Sequence, residues 1–322
     1  MKGKNPTLDW LYDPRVYAVN RLNAHSDHAV YQSPEEADHR SSGLVKSLDG
    51  DWKLHYAHGT DGMTEGFEHP SFDVSGWRET RVPGCLELSG CAAPQYLNIQ
   101  YPWDGWEPIR PPQVPEKNPV AEYVADFLLP DDFLDRRVAL TFDGAVTALY
   151  AWINGTFIGY AEDGFTPSHF DVTEALKPGK NRLAVRLFRH SAASWLEDQD
   201  FWRFSGLIRS VRLTAQPRAH VEDLFAKALL NDDFKDGSLD LSMRLVLPEA
   251  EAVVAKIELT GDSGQEALCV ELPAKPLTQI TLPVASPRKW SAEEPNLYRL
   301  RITLAGPTRC PPPPARPAAM WK

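Results

Sequence analysis

Short stretches of alternating apolar and polar residues, separated by turn residues, run through most of the chain. Residues 182–188 (RLAVRLF) show the two-residue period of a half-buried strand. The pair Asn154-Gly155 separates the apolar runs 149–153 and 157–160, an arrangement typical of a tight β-hairpin. Similar patterns predict strands at residues 138–142, 210–214, 239–246, 253–259 and 297–304. No segment has the period of a long, capped helix.

Strands this short and this closely spaced predict an all-β protein built from sandwiches. A boundary is expected near residues 216–217, because residues 219–305 carry their own set of strands. About 90 such residues fit one immunoglobulin-like sandwich. Within the first sandwich we expect Trp77 and Trp152 to be core aromatics rather than sugar platforms.

Composition and charge exclude several classes of protein. The chain is 43% hydrophobic and has 10 Trp, 10 Tyr and 13 Phe, so long disorder is not expected. Its net charge of -10 supplies no basic face for nucleic acid. No apolar run reaches the length of a signal peptide or a membrane span, so we expect a cytoplasmic protein without a membrane partner. We expect Cys85 and Cys91 to be reduced thiols, although they could bridge.

Several motifs occur in a fixed order from about residue 18 to residue 305. They are NRLNAH (20–25), SLDGDW (47–52), YLNIQYP (96–102), WING (152–155), PSHFD (167–171), LEDQDFWRFSGLIR (196–209) and WSAEEPNLY (290–298). This series resembles the N-terminal region of bacterial β-galactosidases of glycoside hydrolase family 2, of the lactose-operon type. The block at 196–209 is the most specific match. Residues 82–85 (VPGC) depart from the family's VPSNW-like segment, so the local loop is expected to differ.

The resemblance implies a jelly-roll, galactose-binding-like sandwich, then an immunoglobulin-like sandwich, then a catalytic (β/α)₈ barrel. A barrel needs about 250 residues, and only 17 follow residue 305 (322 − 305). We therefore expect this chain to lack the barrel, with both catalytic carboxylates, and to be inactive alone. The expected parts are an extended segment (1–30), the jelly roll (31–216), the immunoglobulin-like sandwich (217–305) and a Pro-rich tail (306–322).

The tail contains four consecutive prolines at residues 311–314, which cannot join a β-ladder. Two interpretations are open. The tail is foreign to the fold, from a frameshift or an assembly end, or it is a Pro-rich linker.

The resemblance also implies two substrate-binding residues, Asn98 and Asp200. An amide can donate to and accept from a sugar hydroxyl, and a carboxylate can accept from hydroxyls and ligate a hard cation. In the family this Asp binds sodium together with barrel residues, and magnesium is held by the barrel. From the residues alone, Asn98 could bond its own turn, and Asp200 could pair with Arg203 or Arg209. Trp202 and Arg203 are expected to pack and pair, holding the loop in shape.

Two functions are carried forward. The first is a truncated β-galactosidase whose full-length parent hydrolyses terminal non-reducing β-D-galactosides, such as lactose, and forms a homo-oligomer. The alternative is a stand-alone, non-enzymatic carbohydrate-binding or complementing module, which would need exposed coplanar aromatics. A retaining glycosidase needs two carboxyls about 5–5.5 Å apart. For Glu197, Asp198 and Asp200 we instead favour a loop that binds a cation or caps backbone groups.

Overall fold

The computed structural model describes residues 5–197, 200–249, 251–262 and 264–306. Its backbone contacts divide the chain into two compact units. Unit 1 extends to Pro217, and unit 2 begins at Arg218 and also takes in His25–His28. Apart from Gly306, the predicted Pro-rich tail lies outside the described residues. Among those residues, no helix is long and apolar enough to cross a membrane.

The elements of unit 1 are mainly strands. The strands are β1 (Ala18–Val19), β2 (Val45–Ser47), β3 (Gly50–Ala57), β4 (Arg78–Val82), β5 (Tyr96–Leu97), β6 (Val120–Leu128), β7 (Arg137–Phe142), β8 (Ala148–Ile153), β9 (Thr156–Ala161), β10 (Ser168–Asp171), β11 (Lys180–Phe188), β12 (Phe201–Trp202) and β13 (Val211–Gln216). The helical segments are α1 (Pro34–His39) and the 3₁₀ turns Leu8–Tyr12, Thr60–Gly62, Asp131–Phe133, Thr173–Ala175 and Ala192–Leu196.

Two antiparallel sheets of unit 1 pack face to face as a sandwich. One has the order β1-β9-β8-β11-β6-β3-β4, and the other has the order β10-β7-β13-β2. Alternate residues of the strands fill the space between them, and many, such as Leu140, Leu183 and Leu213, are fully buried. Burial of this apolar area is the main driving force for the sandwich.

Strand β8 is buried on both faces, which explains its unbroken apolar sequence ALYAWI. Leu149, Ala151 and Ile153 face the sandwich core, whereas Tyr150 and Trp152 enter a second aromatic cluster. The N-terminal turn covers that cluster, because the Trp10 ring stacks on Tyr150 at 5.9 Å between centroids. The chain's own N-terminal segment therefore shields β8, an interior strand of the sheet, from water.

Unit 2 is a second, smaller sandwich. Its strands are β14 (His220–Leu230), β15 (Gly237–Val246), β16 (Val254–Gly261), β17 (Glu266–Pro273), β18 (Leu277–Val284) and β19 (Tyr298–Ala305). They form two three-stranded sheets of order β14-β15-β18 and β17-β16-β19. Met243, Ile257 and Leu282 lie in the core between the sheets, so β15 alternates buried and partly exposed residues as the sequence pattern predicts.

The predicted all-β fold class and the predicted strands are confirmed. The hairpin between β8 and β9 turns at Asn154 (φ 52°) and Gly155 (φ 83°), as the Asn-Gly pair requires. Trp152 is buried and Trp77 packs against the second cluster. Cys85 and Cys91 are free thiols, as expected. Helix α1 was not predicted, because one six-residue helix shows no hydrophobic period.

Candidate functional site

A two-stranded ribbon on unit 1 carries both sequence-predicted site residues. In this ribbon β5 pairs antiparallel with β12, with Tyr96 opposite Trp202 and Leu97 opposite Phe201. The next position of the same register places Asn98 opposite the residue before Phe201, which is Asp200. Residues 102 positions apart in the sequence (200 − 98) are therefore neighbours, because antiparallel partners face each other across the ladder.

One face of the ribbon is aromatic and exposed. The Tyr96 and Trp202 rings lie 5.6 Å apart between centroids and are tilted by 57°, and each residue is about half exposed. The Tyr96 hydroxyl donates to Oδ1 of Asp200 at 2.5 Å. This bond fixes the carboxylate at the end of the ribbon, beside the exposed Asn98. The arrangement combines aromatic surface with hydrogen-bonding groups, as sugar-contacting surfaces need.

Arg203 fastens the loop that carries Asp200. Its side chain donates to the backbone carbonyl of Glu197, and its guanidinium lies 4.5 Å from the centre of the Phe201 ring. Its backbone N–H donates to the carbonyl of Gln95 at 2.8 Å. The side chain and the backbone of Arg203 thus connect the loop to the ribbon, in line with the expectation that Arg203 holds the loop in shape. Trp202, in contrast, is half exposed rather than packed away.

A buried ion pair anchors the segment that follows β12. Glu87, 5% exposed, pairs with Arg189 and accepts from the backbone N–H of Ser205 at 2.8 Å. Arg189 also donates to the carbonyl of Arg203 at 2.6 Å. Because buried charges are stable only when paired and hydrogen-bonded, this network holds the segment after β12 in one conformation.

An aromatic cluster holds the other side of the ribbon. Tyr101, shortly after Asn98, stacks on Trp103 at 5.3 Å with an angle of 7°. Its hydroxyl donates to the carbonyl of Trp195 at 3.1 Å. Trp195 precedes the loop of Asp200. This hydrogen bond therefore also connects the segment after β5 to the segment before β12.

Two carboxyl groups of unit 1 have raised pKa values: Glu162 is buried, and Glu197, which precedes the loop of Asp200, is partly buried. Burial raises the pKa of Glu162 to about 7, and burial likewise raises the pKa of Glu197 to about 7. Glu162 is 2% exposed and accepts from the Tyr160 hydroxyl, while Glu197 accepts from the Thr147 hydroxyl at 3.4 Å. A sugar cannot reach Glu162, so the two do not form an accessible acid–nucleophile pair. Asp198, which sequence analysis grouped with Glu197, lies outside the described residues.

Asp200 is the residue at this site that could ligate a cation. A hard cation is held by several oxygen ligands, and among the described side chains of the ribbon the Asp200 carboxylate and the Asn98 amide oxygen are the groups suited to that role. A separate cluster of Glu258, Glu266 and Cys269 has ligand-type atoms within 4.8 Å of one another. Its Glu258 already bonds the Lys256 ammonium at 2.6 Å, so the local positive charge opposes a metal ion there.

Sequence analysis identified Asn98 and Asp200 and missed the two aromatics beside them. Tyr96 and Trp202 each lie two residues from a predicted site residue, and two residues is the period that returns a strand to the same face. This spacing was the available signal. The residues alone left open an ion pair between Asp200 and Arg209. In the structure the Arg209 guanidinium instead donates to the backbone carbonyl of Phe165.

Both units match known protein-family models. Residues 45–217 match "Glycosyl hydrolases family 2, sugar binding domain", and residues 219–308 match "Glycosyl hydrolases family 2". The chain therefore belongs to glycosyl hydrolase family 2, with a sugar-binding sandwich followed by an immunoglobulin-like one.

Several β-galactosidases are similar to the chain in sequence. The chain is 50% identical over 300 residues to a β-galactosidase of Lactobacillus delbrueckii subsp. bulgaricus, covering 92% of this chain and 29% of that protein. It is 42% identical over 305 residues to one of Streptococcus thermophilus, covering 90% and 28%. The β-galactosidase large subunit of Leuconostoc lactis is 36% identical over 315 residues, covering 92% and 49%. The chain is thus homologous to the N-terminal part of these enzymes and spans under a third of the first two.

Solved structures show the same fold. A family 2 member from Bacteroides cellulosilyticus has a TM-score of 0.61 at 19% identity, covering 81% of this chain and 34% of its own. A Bacteroides uniformis β-glucuronidase has a TM-score of 0.64 at 21% identity, covering 82% and 30%. At such identities the likeness concerns architecture alone.

Proposed function

We propose that this chain forms the non-catalytic N-terminal domains of a β-galactosidase and contributes part of its substrate-contact surface. In the full-length protein the reaction is hydrolysis of terminal non-reducing β-D-galactosides, such as lactose. The observation that carries the proposal is the ribbon register that places Asn98 opposite Asp200 on an exposed edge. The homology to β-galactosidases supports the choice of galactoside.

The chemistry of the ribbon suits a galactoside. Among the described residues, the Asp200 carboxylate bonds Tyr96 through Oδ1, which leaves Oδ2 to accept from a sugar hydroxyl. The Asn98 amide can both donate and accept. The exposed Tyr96 and Trp202 rings offer apolar surface to the C–H face of a sugar ring. These contacts bind and orient a sugar, and none of them cleaves a glycosidic bond.

Bond cleavage belongs to the barrel of the full-length protein. A retaining glycosidase needs an accessible pair of carboxyls, one protonated near neutral pH. The described residues hold no (β/α)₈ barrel, and Glu162, one of the two carboxyls with a raised pKa, is buried out of reach of a substrate. The chain alone is therefore proposed to be inactive.

The metal requirements follow from the family resemblance and the ribbon. Asp200 would hold a sodium ion only together with ligands from the barrel, because the ribbon offers too few oxygen ligands. The magnesium ligands implied by the family resemblance belong to the barrel, so we do not assign magnesium to these domains. A homo-oligomeric parent and a cytoplasmic location are proposed on the resemblance alone.

The proposal is tested by complementation. The purified chain is assayed for release of nitrophenol from nitrophenyl β-galactoside, alone and mixed with the remaining C-terminal part of the L. delbrueckii enzyme. We expect no release by the chain alone and release by the mixture. Asp200→Asn should lower release by the mixture at least about tenfold, the loss expected for one charge-assisted hydrogen bond. Asn98→Ala should lower it about threefold to tenfold, because a neutral amide contributes a weaker hydrogen bond. Asp61→Asn, at an exposed position in another turn, is the matched control.

Two results would contradict the proposal. One is turnover by the chain alone that disappears in an Asp200→Ala variant, since it would reveal a catalytic site in these domains. The other is a mixture whose activity is unchanged by both site substitutions. Varying sodium separately tests the metal assignment, because Asp200→Asn should abolish any dependence on sodium.

A stand-alone carbohydrate-binding or complementing module is the second candidate. It is favoured by the exposure of Tyr96 and Trp202. The 57° tilt between their rings departs from the coplanar platform that such modules require, so it ranks second. Calorimetry with galactose distinguishes the two: saturable binding by the chain alone that is lost in Trp202→Ala supports the module.

A further inference from the structure

A cavity of about 360 Å³ opens at one end of unit 2. The cavity lies where β14 and β18 end and where β15 and β19 begin. At this end the space between the two sheets is open to solvent. Its floor consists of the buried core residues Leu239, Leu259 and Val284. Cavities of this size and apolar character are typical of sites for small organic molecules.

The rim of the cavity is basic. Arg288, Lys289, Trp290 and Asn296 belong to its lining, and that lining contains no acidic residue. Lys289 donates to the carbonyl of Lys235 at 2.9 Å, and Asn296 donates to the carbonyl of Lys289 at 2.8 Å. The rim loop is therefore held in place by its own hydrogen bonds.

Two rim side chains remain available. The backbone N–H of Arg288 donates to the Tyr298 hydroxyl at 2.8 Å, but its guanidinium has no partner among the described residues. The Trp290 indole is 63% exposed. Three acids close to the rim segment have partners: Asp233 pairs with Lys235 at 3.4 Å, Asp236 accepts from the Ser286 N–H at 2.8 Å, and Asp262 accepts from the Leu297 N–H at 3.0 Å. Glu293 and Glu294 lie on the rim segment itself but outside the cavity lining.

We propose that this cavity is a binding site for a small aryl carboxylate. Its aromatic body would occupy the apolar cavity against Trp290, and its carboxylate would accept from the Arg288 guanidinium. Burial of the body supplies affinity in proportion to its apolar area, and the charge-assisted pair supplies selectivity for an anion. A purely apolar protein segment fits less well, because it would cover the guanidinium without satisfying its hydrogen bonds.

The test uses the purified full chain and 2-naphthoate, followed by calorimetry and tryptophan fluorescence. We expect saturable one-to-one binding and about tenfold weaker binding of 2-naphthylmethanol, which has the same body without the charge. Arg288→Gln should weaken 2-naphthoate by about tenfold and leave 2-naphthylmethanol unchanged. Trp290→Ala should weaken both ligands. Arg299→Gln, an equal charge change outside the cavity lining, should weaken neither.

Absence of saturable binding, or equal 2-naphthoate affinity in the wild type and Arg288→Gln, overturns the proposal. A tryptophan signal that changes with protein concentration, together with a dimer that Trp290→Ala abolishes, also overturns it and assigns the cavity to a second copy of the chain. Arg288 and Trp290 are both exposed, so their variants should have the same unfolding midpoints as the wild type. A lower midpoint would show that a variant has lost its fold rather than its binding site.

Discussion

The raised pKa values of Glu162 and Glu197 make the stability of unit 1 depend on pH. Each carboxyl has a pKa of about 7 in the folded protein, raised by burial from its ordinary value of 4.5. Protonated and neutral, each group is accommodated without a charge penalty below pH 4.5. As the pH rises through 7, the folded protein must bury the charged form, and that part of the stability is lost.

We predict that Glu162→Gln increases in relative stability as the pH rises. At pH 5 the variant should gain least, because the folded wild type still holds a neutral Glu162 and only the carboxyl of the unfolded chain has ionised. At pH 8 the variant should be more stable by roughly 1–3 kcal/mol, since one pKa unit corresponds to about 1.4 kcal/mol. Urea unfolding at pH 5, 6, 7 and 8 measures the difference.

The difference between the two proteins isolates the carboxyl from other titrations. Burial lowers the pKa of His190 to about 3, which gives the wild-type curve an opposite slope below the ordinary His pKa but cancels in the comparison. Glu65→Gln, at an exposed position, is the control and should show no such trend. A pH-independent gain for Glu162→Gln would contradict the assignment.

At the scale of elements, the β8–β9 hairpin depends on one glycine. Gly155 has φ of 83°, a conformation that glycine adopts without strain and other residues rarely adopt. We predict that Gly155→Ala destabilises unit 1 by about 1–2 kcal/mol. Gly76→Ala is the matched control, because a Cβ there meets nothing within 4 Å and its φ is not positive. Equal urea midpoints for the two variants would disprove this dependence.

The sequence predicted the long strands far better than the ribbon. Strand β15 alternates over most of its ten residues, and that period is visible without any tertiary information. Strands β5 and β12 have two residues each, too few for a period. Their pairing depends on the folded sandwich, so the Tyr96–Asp200 hydrogen bond could not be predicted.

Motifs, rather than periodicity, identified the site residues. Asn98 and Asp200 were recognised because they lie in blocks that resemble a family, and nothing local marks either as a ligand-binding residue. Helix α1, in contrast, carries a local sequence signal, although it has no hydrophobic period. Ser33 caps it by accepting from the Glu36 N–H at 3.3 Å, and Pro34 occupies its first turn, so its start was readable from a known capping pattern.

At the scale of the whole molecule, an exposed strand edge favours self-association, whereas the net charge of -10 favours solubility. Strand β14 lies at the edge of its sheet among the described strands. Its residues 225–230 are all exposed, and Lys227 is the single charge in that run. Soluble proteins usually protect such edges with several charges, prolines or bulges.

We predict that the purified chain self-associates and that Phe225→Lys reduces this association. Phe225 is 64% exposed, so the substitution removes apolar surface and adds a second charge to the edge. Size-exclusion chromatography over a range of protein concentrations should show a smaller concentration-dependent shift for the variant. Thr281→Lys, an equal charge change at an exposed position of β18, is the control. A wild-type chain that elutes as a monomer at every concentration would contradict the prediction.

The brevity of the β5–β12 ribbon sets a limit on how tightly it can hold a sugar. Short peripheral pairings open at a lower free energy than the core sheets they adjoin. An opened ribbon separates Asn98 from Asp200, so the measured dissociation constant equals the intrinsic one divided by the closed fraction. Any neighbouring structure that keeps the ribbon closed therefore tightens sugar binding without touching the sugar. Hydrogen exchange can measure the closed fraction of the ribbon, both in the chain alone and in a longer protein.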